Sequence, residues 1–205
     1  MKGTMDFYDK VATSWSKKYY EERCKQIPVK KFYEMFSLAE NKHPEILDFG
    51  CGMGYDAKIL SNLGAFVIGV DFSENAIEIA KKNVPNAKFF VGDVTERFDK
   101  LGRFEGIMCL DTLAYVDIMK MRNVFKNFAR GLFSGGLLMI SISGESGKVP
   151  EKSFAEIDGE VYEKNYTGYT VEQLCEFAYP NFKLVDSFLS EEFGQKMKYF
   201  VFMKN

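Results

Sequence analysis

A chain of 205 residues, 46% of them hydrophobic and 27% charged, suits one ordinary domain with a full core and is too apolar for disorder. Its net charge of −2 and pI near 5.6 leave no basic footprint for nucleic acid or an anionic membrane surface. No apolar run reaches the length of a membrane span, and the opening MKGTMDFYDK lacks the apolar stretch of a signal peptide, so a cytoplasmic protein is expected.

Residues 1–40 read as a helical cap outside the pattern that follows. His43, the only histidine, precedes Pro44 at a strand edge and reads as surface or structural. With one histidine, zinc chemistry and a Ser-His-Asp triad lose most of their support. From residue 46 onward, short apolar runs alternate with helix-like segments, the signature of a parallel sheet covered on both faces. Residues 46–49 are the first strand, ending at glycines. A helix over 55–63 is stopped by Gly64 in a left-handed cap. Residues 66–70 are the second strand, closed by Asp71, and Ser73 caps a helix running to Asn83. Residues 88–91 and 106–110 are the third and fourth strands. Residues 116–132 are helical, Gly135–Gly136 breaks that helix, and 137–142 form the fifth strand.

The polar stretch 144–168, with Gly144, Gly147, Pro150, Gly159 and Gly168, reads as a long excursion, and long loops in compact domains are usually functional or disordered. Thr170 opens a helix as a capping box with Gln173. Residues 182–189 and 198–202 are two last strands joined near Gly194, and so short a connection makes them antiparallel. The expected fold is α/β, a Rossmann-like three-layer sandwich whose seven-stranded, mostly parallel sheet ends in a C-terminal antiparallel hairpin. A single domain 1–205 is expected, divided into a cap (1–40), a ligand-binding core (41–143), an acceptor-side loop (144–169), and a final helix and hairpin (170–205). The 20 Phe and 11 Tyr are expected to fill the core. Cys24, Cys51, Cys109 and Cys175 are scattered without metal-ligand spacing, so free thiols and no metal are expected.

The segment Asp48-Phe49-Gly50-Cys51-Gly52-Met53-Gly54 carries the strongest signal. Here the chain leaves a buried strand and turns sharply into a helix. Glycines permit positive φ there and remove the Cβ atoms that would keep a ligand from the backbone. A methionine-like group is accommodated opposite them, with Asp48 in reach of its amino group. Asp71 ends the second strand where doubly wound folds place an acid to hold ribose hydroxyls. Asp93, after Gly92 at the end of the third strand, suits an adenine amine. The backbone N–H of Val94 suits a ring nitrogen, and Phe72 and Val94 suit the two adenine faces.

These segments, LDFGCGMG, GVDFSENAI, VGDVTE, FEGIMCLDTLAYV and GGLLMISI, resemble the class I S-adenosylmethionine (AdoMet)-dependent methyltransferases, in particular the small-molecule group. The likeness covers roughly residues 45–143, with weaker support from YTVEQL and the closing hairpin. FYDKVATSWSKKY also looks like the N-terminal helix that caps the cofactor in that group. The resemblance implies that AdoMet is bound and leaves as S-adenosylhomocysteine. It implies Asp48, Gly50, Cys51, Gly52 and Gly54 for the methionine half, Asp71 and Phe72 beside the ribose and adenine, Asp93 and Val94 at the adenine, and the Leu110 backbone against the cofactor. Tyr8, Trp15, Tyr19 and Tyr20 are candidate lid residues.

The chain departs from many relatives in having Thr112-Leu113-Ala114-Tyr115 where they carry a histidine, which excludes a histidine base there. The Asn/Asp-Pro-Pro-aromatic motif of enzymes that methylate nucleobase or glutamine amines is absent. A small-molecule acceptor is therefore expected, with neither nucleic acid nor membrane as partner and a monomer or homodimer as assembly. Asp111, Tyr115 and Glu145 are the acids and phenol nearest in sequence for an acceptor that needs a base. Residues 144–168, with Phe154, Tyr162, Tyr166 and Tyr169, are expected to cover the acceptor pocket together with the N-terminal helix. Two rivals stand beside this reading. A nicotinamide dehydrogenase would prefer G-x-G-x-x-G, but Tyr55 holds the sixth position. A non-catalytic AdoMet-binding domain would leave the same residues in place.

Overall fold

The computed structural model describes residues 3–10, 12, 27–37, 43–143, 151–192 and 195–205. Nine strands and the helices between them follow in chain order. Residues 4–10 are helical (α1), and α2 spans Ile27–Ser37. Then come β1 Glu45–Phe49, α3 Tyr55–Leu63, β2 Phe66–Asp71, α4 Glu74–Asn83, β3 Lys88–Val91 and β4 Phe104–Cys109. The chain continues through α5 Ile118–Gly131, β5 Leu132–Ser143, β6 Glu151–Ile157, β7 Glu160–Tyr166, α6 Val171–Ala178, β8 Phe182–Glu192 and β9 Gln195–Lys204.

Seven strands form one sheet in the order β3-β2-β1-β4-β5-β9-β8. The pairs from β3 to β5 are parallel, while β9 runs antiparallel to both β5 and β8. This is the expected α/β sandwich. The chain passes from β1 outward to β3 and then returns to the other side of β1. The carboxyl ends of β1 and β4 therefore flank a topological switch point, where open α/β sheets bind ligands.

Both sheet faces are covered, as near-continuous apolar strands demand. One face packs Phe49, Phe98, Phe104, Phe125, Phe128, Phe182 and Phe202 against α5 and α6. The other packs Ile46, Val67, Met108 and Met139 against Phe32 and Phe36 of α2 and Leu60 of α3. These phenylalanines fill the core, each burial stabilising by roughly 1.5–3 kcal/mol, while Phe66, Phe90, Phe133 and Phe154 are exposed.

The helix ends follow local chemistry. Gly64 adopts φ 108 and closes α3. The Ser73 hydroxyl accepts from the Ala76 N–H at 3.0 Å. Thr170 and Gln173 form both arms of the capping box, at 2.9 and 3.2 Å. His43 lies at the opposite edge of the sheet, with Nδ1 2.9 Å from the Gly64 carbonyl oxygen.

Two expectations need correction. The Gly135–Gly136 pair does not end a helix: α5 stops at Gly131, and both glycines lie inside β5. Gly131 ends the helix where a Cβ would overlap the Phe98 ring. Gly135, at φ 78, instead lets the strand bulge where the β4–β5 register shifts.

The stretch expected to be a long loop contains a second, two-stranded sheet, β6–β7. Asp158 (φ 53) and Gly159 (φ 76) form its two-residue turn, with the left-handed geometry that favours Asp-Gly. Residues 144–150 and the expected turn at Gly194 lie outside the described residues. No helix among the described residues is long and apolar enough to cross a membrane.

Candidate functional site

The parallel strands bring four loops to one edge: Gly50–Gly54 after β1, Phe72 after β2, Asp93 and Val94 after β3, and Leu110 to Thr112 after β4. The loop after β1 is stitched to the end of β2, because Gly50 N–H and Cys51 N–H both donate to the Val70 carbonyl, at 2.7 and 3.1 Å. Asp71 is the centre of this arrangement. One of its carboxylate oxygens accepts from Gly52 N–H and the other from Ser73 N–H, each at 2.9 Å. A carboxylate has about four lone-pair directions, so each oxygen retains capacity for a ligand hydroxyl. Burial raises the Asp71 carboxyl above its ordinary value, the N–H groups of Ser73, Gly52 and Phe72 oppose that shift, and the charge of Asp9 adds to it.

Gly50, Gly52 and Gly54 all have positive φ, at 80, 49 and 80, but not for one reason. A Cβ at Gly50 would overlap the Thr112 hydroxyl, so that glycine lets the loops after β1 and β4 close on each other. At Gly54 a Cβ would press on Ala80 and Val84 of the α4 end, at 3.2–3.3 Å. At Gly52 a Cβ would meet no atom of the described residues within 4 Å. Among the described residues, the backbone at Gly52 is therefore uncovered, beside the Asp71 carboxylate.

The other expected residues occupy the same edge. Asp48 is buried in β1 (2% exposed). Its charge adds to the burial that pushes the Cys51 and Cys109 thiols up, so both sulfurs remain protonated and unreactive. Asp93 accepts from Thr95 N–H at 2.8 Å, and Val94 is buried. Leu110 is buried, with its carbonyl accepting the Thr112 hydroxyl at 2.9 Å. Tyr19, Trp15, Tyr20, Cys24 and Glu145 lie outside the described residues. Cys51, Cys109 and Cys175 are free.

Helix α1 lies across this edge and joins it to the β6–β7 hairpin. Asp9 accepts from the Ser73 hydroxyl at 2.6 Å and from Asn75 Nδ2 at 2.8 Å, fixing α1 to the start of α4. Ala12 packs with Met53 of the glycine loop and Tyr55 at the start of α3. Phe7 buries its ring with Tyr162 of β7, and Lys10 pairs with Asp158 at the hairpin turn at 3.0 Å. The Tyr8 and Tyr115 hydroxyls hydrogen-bond at 2.5 Å. The base of the hairpin is fixed to the loop after β4, because Thr167 N–H donates to the Ala114 carbonyl at 2.7 Å.

Of the four rings expected over the pocket, only Tyr166 faces Tyr115, with centroids 6.1 Å apart. Phe154 is 61% exposed, and Tyr162 is buried under α1. Tyr169 is buried in the main core, its hydroxyl donating to the Val116 carbonyl at 2.9 Å.

Three residues of this edge carry no local sequence signal. Asp9 reaches Ser73 across 64 positions, Thr112 is found by the glycine it excludes, and Ser141 reaches Asp111 across 30 positions. Asp111 N–H donates to Ser141 Oγ at 2.9 Å, and the Ser141 hydroxyl donates back to the Asp111 carboxylate at 3.1 Å.

Comparison with known proteins agrees with this geometry. Residues 46–136 match the methyltransferase domain family. Over that segment the chain is similar to the methyltransferase domain family, and the likeness supports a class I methyltransferase. The chain is 32% identical over 115 residues to the ubiquinone biosynthesis O-methyltransferase of Coxiella burnetii, which covers 54% of this chain and 47% of that protein. It is 30% identical over 131 residues to phosphoethanolamine N-methyltransferase 3 of Arabidopsis thaliana, covering 62% of this chain and 26% of that one. The chain thus spans about half the length, or less, of these two relatives. The magnesium protoporphyrin IX methyltransferase of Synechocystis, solved with bound AdoMet, shares the fold. It superposes with a TM-score of 0.75 at 14% identity, over 98% of this chain and 95% of that one.

Proposed function

We propose that this chain binds AdoMet at Gly50–Gly54, Asp71 and Asp93 and transfers its methyl group to a small-molecule acceptor. The observation that carries this reading is the uncovered Gly52 backbone beside the Asp71 carboxylate. Bound there, AdoMet supplies a sulfonium-activated methyl group that a nucleophile takes by in-line displacement.

The chain's own residues bind and align. Gly52 presents main chain to the methionine half, with Asp48 and Cys51 beneath it. Asp71 takes the ribose hydroxyls, Asp93 and the Val94 N–H take the adenine edge, and Phe72 and Val94 take its faces. The Leu110 backbone closes the side toward β4. Alignment of nucleophile, methyl carbon and sulfur then provides much of the rate. Helix α1 and the β6–β7 hairpin close the acceptor side and exclude water. The whole chain acts as one unit, because α1 and the hairpin complete a site that the sheet edge alone leaves open.

The direct test is thermal stabilisation by AdoMet or S-adenosylhomocysteine but not by NAD, followed by methyl transfer from labelled AdoMet to a panel of small acceptors. Stabilisation without transfer to any acceptor would favour a binding domain over an enzyme. Stabilisation by NAD alone would favour a dehydrogenase.

A further inference from the structure

The methyl-donor reading leaves unexplained a buried amide in α5. The helix buries Met121, Val124, Phe125 and Phe128, and with them one polar side chain, Asn127, which is 2% exposed. A leucine there would be the better helix former and would carry no polar group out of water. A buried amide persists where its hydrogen bonds are made. Those of Asn127 reach a loop 31 positions away. Its Nδ2 donates to the Glu96 carbonyl at 3.0 Å, and its Oδ1 accepts from Arg130 at 3.3 Å, which fixes the orientation of the amide. Asn123, four residues earlier and so a neighbour on the helix surface, directs its Nδ2 at the Thr95 carbonyl. That contact is longer, at 3.5 Å, and comes from an exposed position.

The loop so held is the one that follows β3. Glu96 N–H donates to the Asp93 carbonyl at 2.9 Å, which closes one tight turn from Asp93 to Glu96. Inside it the Thr95 N–H donates to Asp93 Oδ1 at 2.8 Å and orients the carboxylate. With about four lone-pair directions, that carboxylate keeps acceptor capacity beyond this bond. The entrance of the turn is fixed to the ribose-side acid, because Gly92 N–H donates to the Asp71 carbonyl at 2.9 Å. Its exit is fixed by Phe98, whose ring packs on Phe49 and Phe128 with centroids 5.2 and 6.4 Å away. Between these anchors the Thr95 and Glu96 carbonyls are held from α5. The two amides therefore set where the turn stands over the sheet edge, and with it the direction of the Asp93 carboxylate and the Val94 N–H.

We propose that Asn127, supported by Asn123, is a positioning residue for recognition of a 6-aminopurine. It holds the Asp93–Glu96 turn so that the Asp93 carboxylate meets the exocyclic amine and the Val94 N–H meets the adjacent ring nitrogen. This rests on the methyl-donor reading above. Asn127 acts through the turn and not on the ligand. The arrangement separates adenine from hypoxanthine, which presents a carbonyl in place of the amine and an N–H in place of the ring acceptor. A carboxylate and an N–H held in place oppose both changes, whereas a turn freed from α5 can shift to accommodate either base. The amide thus contributes more to base selectivity than to holding the sugar and the methionine half.

Asn127→Leu keeps the side-chain volume nearly constant and removes the donor. Calorimetry gives the Kd of S-adenosylhomocysteine and of S-inosylhomocysteine for the wild type, Asn127→Leu, Asn127→Ser, Asn123→Ala and Asp93→Ala, with urea denaturation to establish that each is folded. If Asn127→Leu does not fold, Asn127→Ser, whose hydroxyl is too short to reach the turn, is held to the same criterion.

The wild type should prefer the adenine ligand by about 30-fold or more, since a site built to bond an amine rejects the analogue lacking it. Asn127→Leu should narrow that preference about 3- to 10-fold, the scale of one net hydrogen bond, with S-inosylhomocysteine affinity within about twofold of wild type. Asn123→Ala should narrow it less. An equal loss of affinity for both ligands, as a merely structural amide would give, overturns the proposal, and so does a wild-type preference in the folded Asn127 variant. A wild type without base preference, or an Asp93→Ala protein that retains it, removes the placement of adenine at Asp93 and the proposal with it. Absence of binding of either ligand to the wild type removes the methyl-donor reading itself.

Discussion

The glycine loop with Asp71 and the tyrosine-walled side beneath α1 share one sheet edge, yet they are assembled from different materials. The first is mostly backbone. Gly50, Cys51 and Gly52 donate their N–H groups to the end of β2 and to its terminal acid, across about 20 positions of sequence. The second is mostly side chain, and its contacts join distant segments: Tyr8 to Tyr115 across 107 positions and Thr4 to Asn165 across 161. Under the proposed function, backbone geometry built from glycine and strand ends serves one invariant ligand shape. Side chains gathered from α1, the β4 loop and a hairpin are free to differ from one acceptor to another.

The sharpest way to break this comparison is to separate the glycines that pack from the one that meets a ligand. Gly50→Ala combines an overlap with Thr112 and an unfavourable left-handed φ, and should cost about 3 kcal/mol or more of stability in urea denaturation. Asp71→Ala removes two charge-assisted acceptors at once. It should weaken AdoMet binding by roughly 2 kcal/mol, near 30-fold, measured by calorimetry. Gly52→Ala meets no atom of the described residues, so the fold should lose only about 1–2 kcal/mol from its φ. The added methyl group should nevertheless lower AdoMet affinity more than about 10-fold if a ligand lies against that backbone, since close approach is what glycine permits there. Equal stability losses at Gly50 and Gly52 would erase the distinction. Asp9→Ala loosens the bridge between the two regions and should cost about 1 kcal/mol, seen as faster proteolysis of α1.

The Asp71 carboxyl adds a pH signature with opposite signs in the two states. Its folded pKa is raised above 3.8 by burial. In the free protein its contribution to stability is therefore fully present below that value and is lost as pH rises through the raised pKa. On the proposed reading, AdoMet binding needs the carboxylate. Affinity should fall as pH drops through the same raised value, at a higher pH than an ordinary aspartate would give. Calorimetry across that acid range checks the sign.

Much of the sheet and of the backbone-built site was legible, because strand periodicity, Ser73, Thr170 and the glycine spacing act locally. The β6–β7 hairpin was obscured by its polar composition and scattered glycines. Its signature was nonetheless present as Asp158-Gly159 between two seven-residue strands. Gly135 misled because a glycine after a helix also suits a bulge inside the following strand. Asp9 and Ser141 could not be read, since each acts on a partner brought near only by the finished fold.

The most direct test is calorimetric titration of AdoMet into the wild-type protein and into Gly52→Ala. The account predicts saturable one-site binding to the wild type and a loss of more than about 10-fold in a variant that remains folded. No binding to the wild type, or equal binding to both, would contradict it.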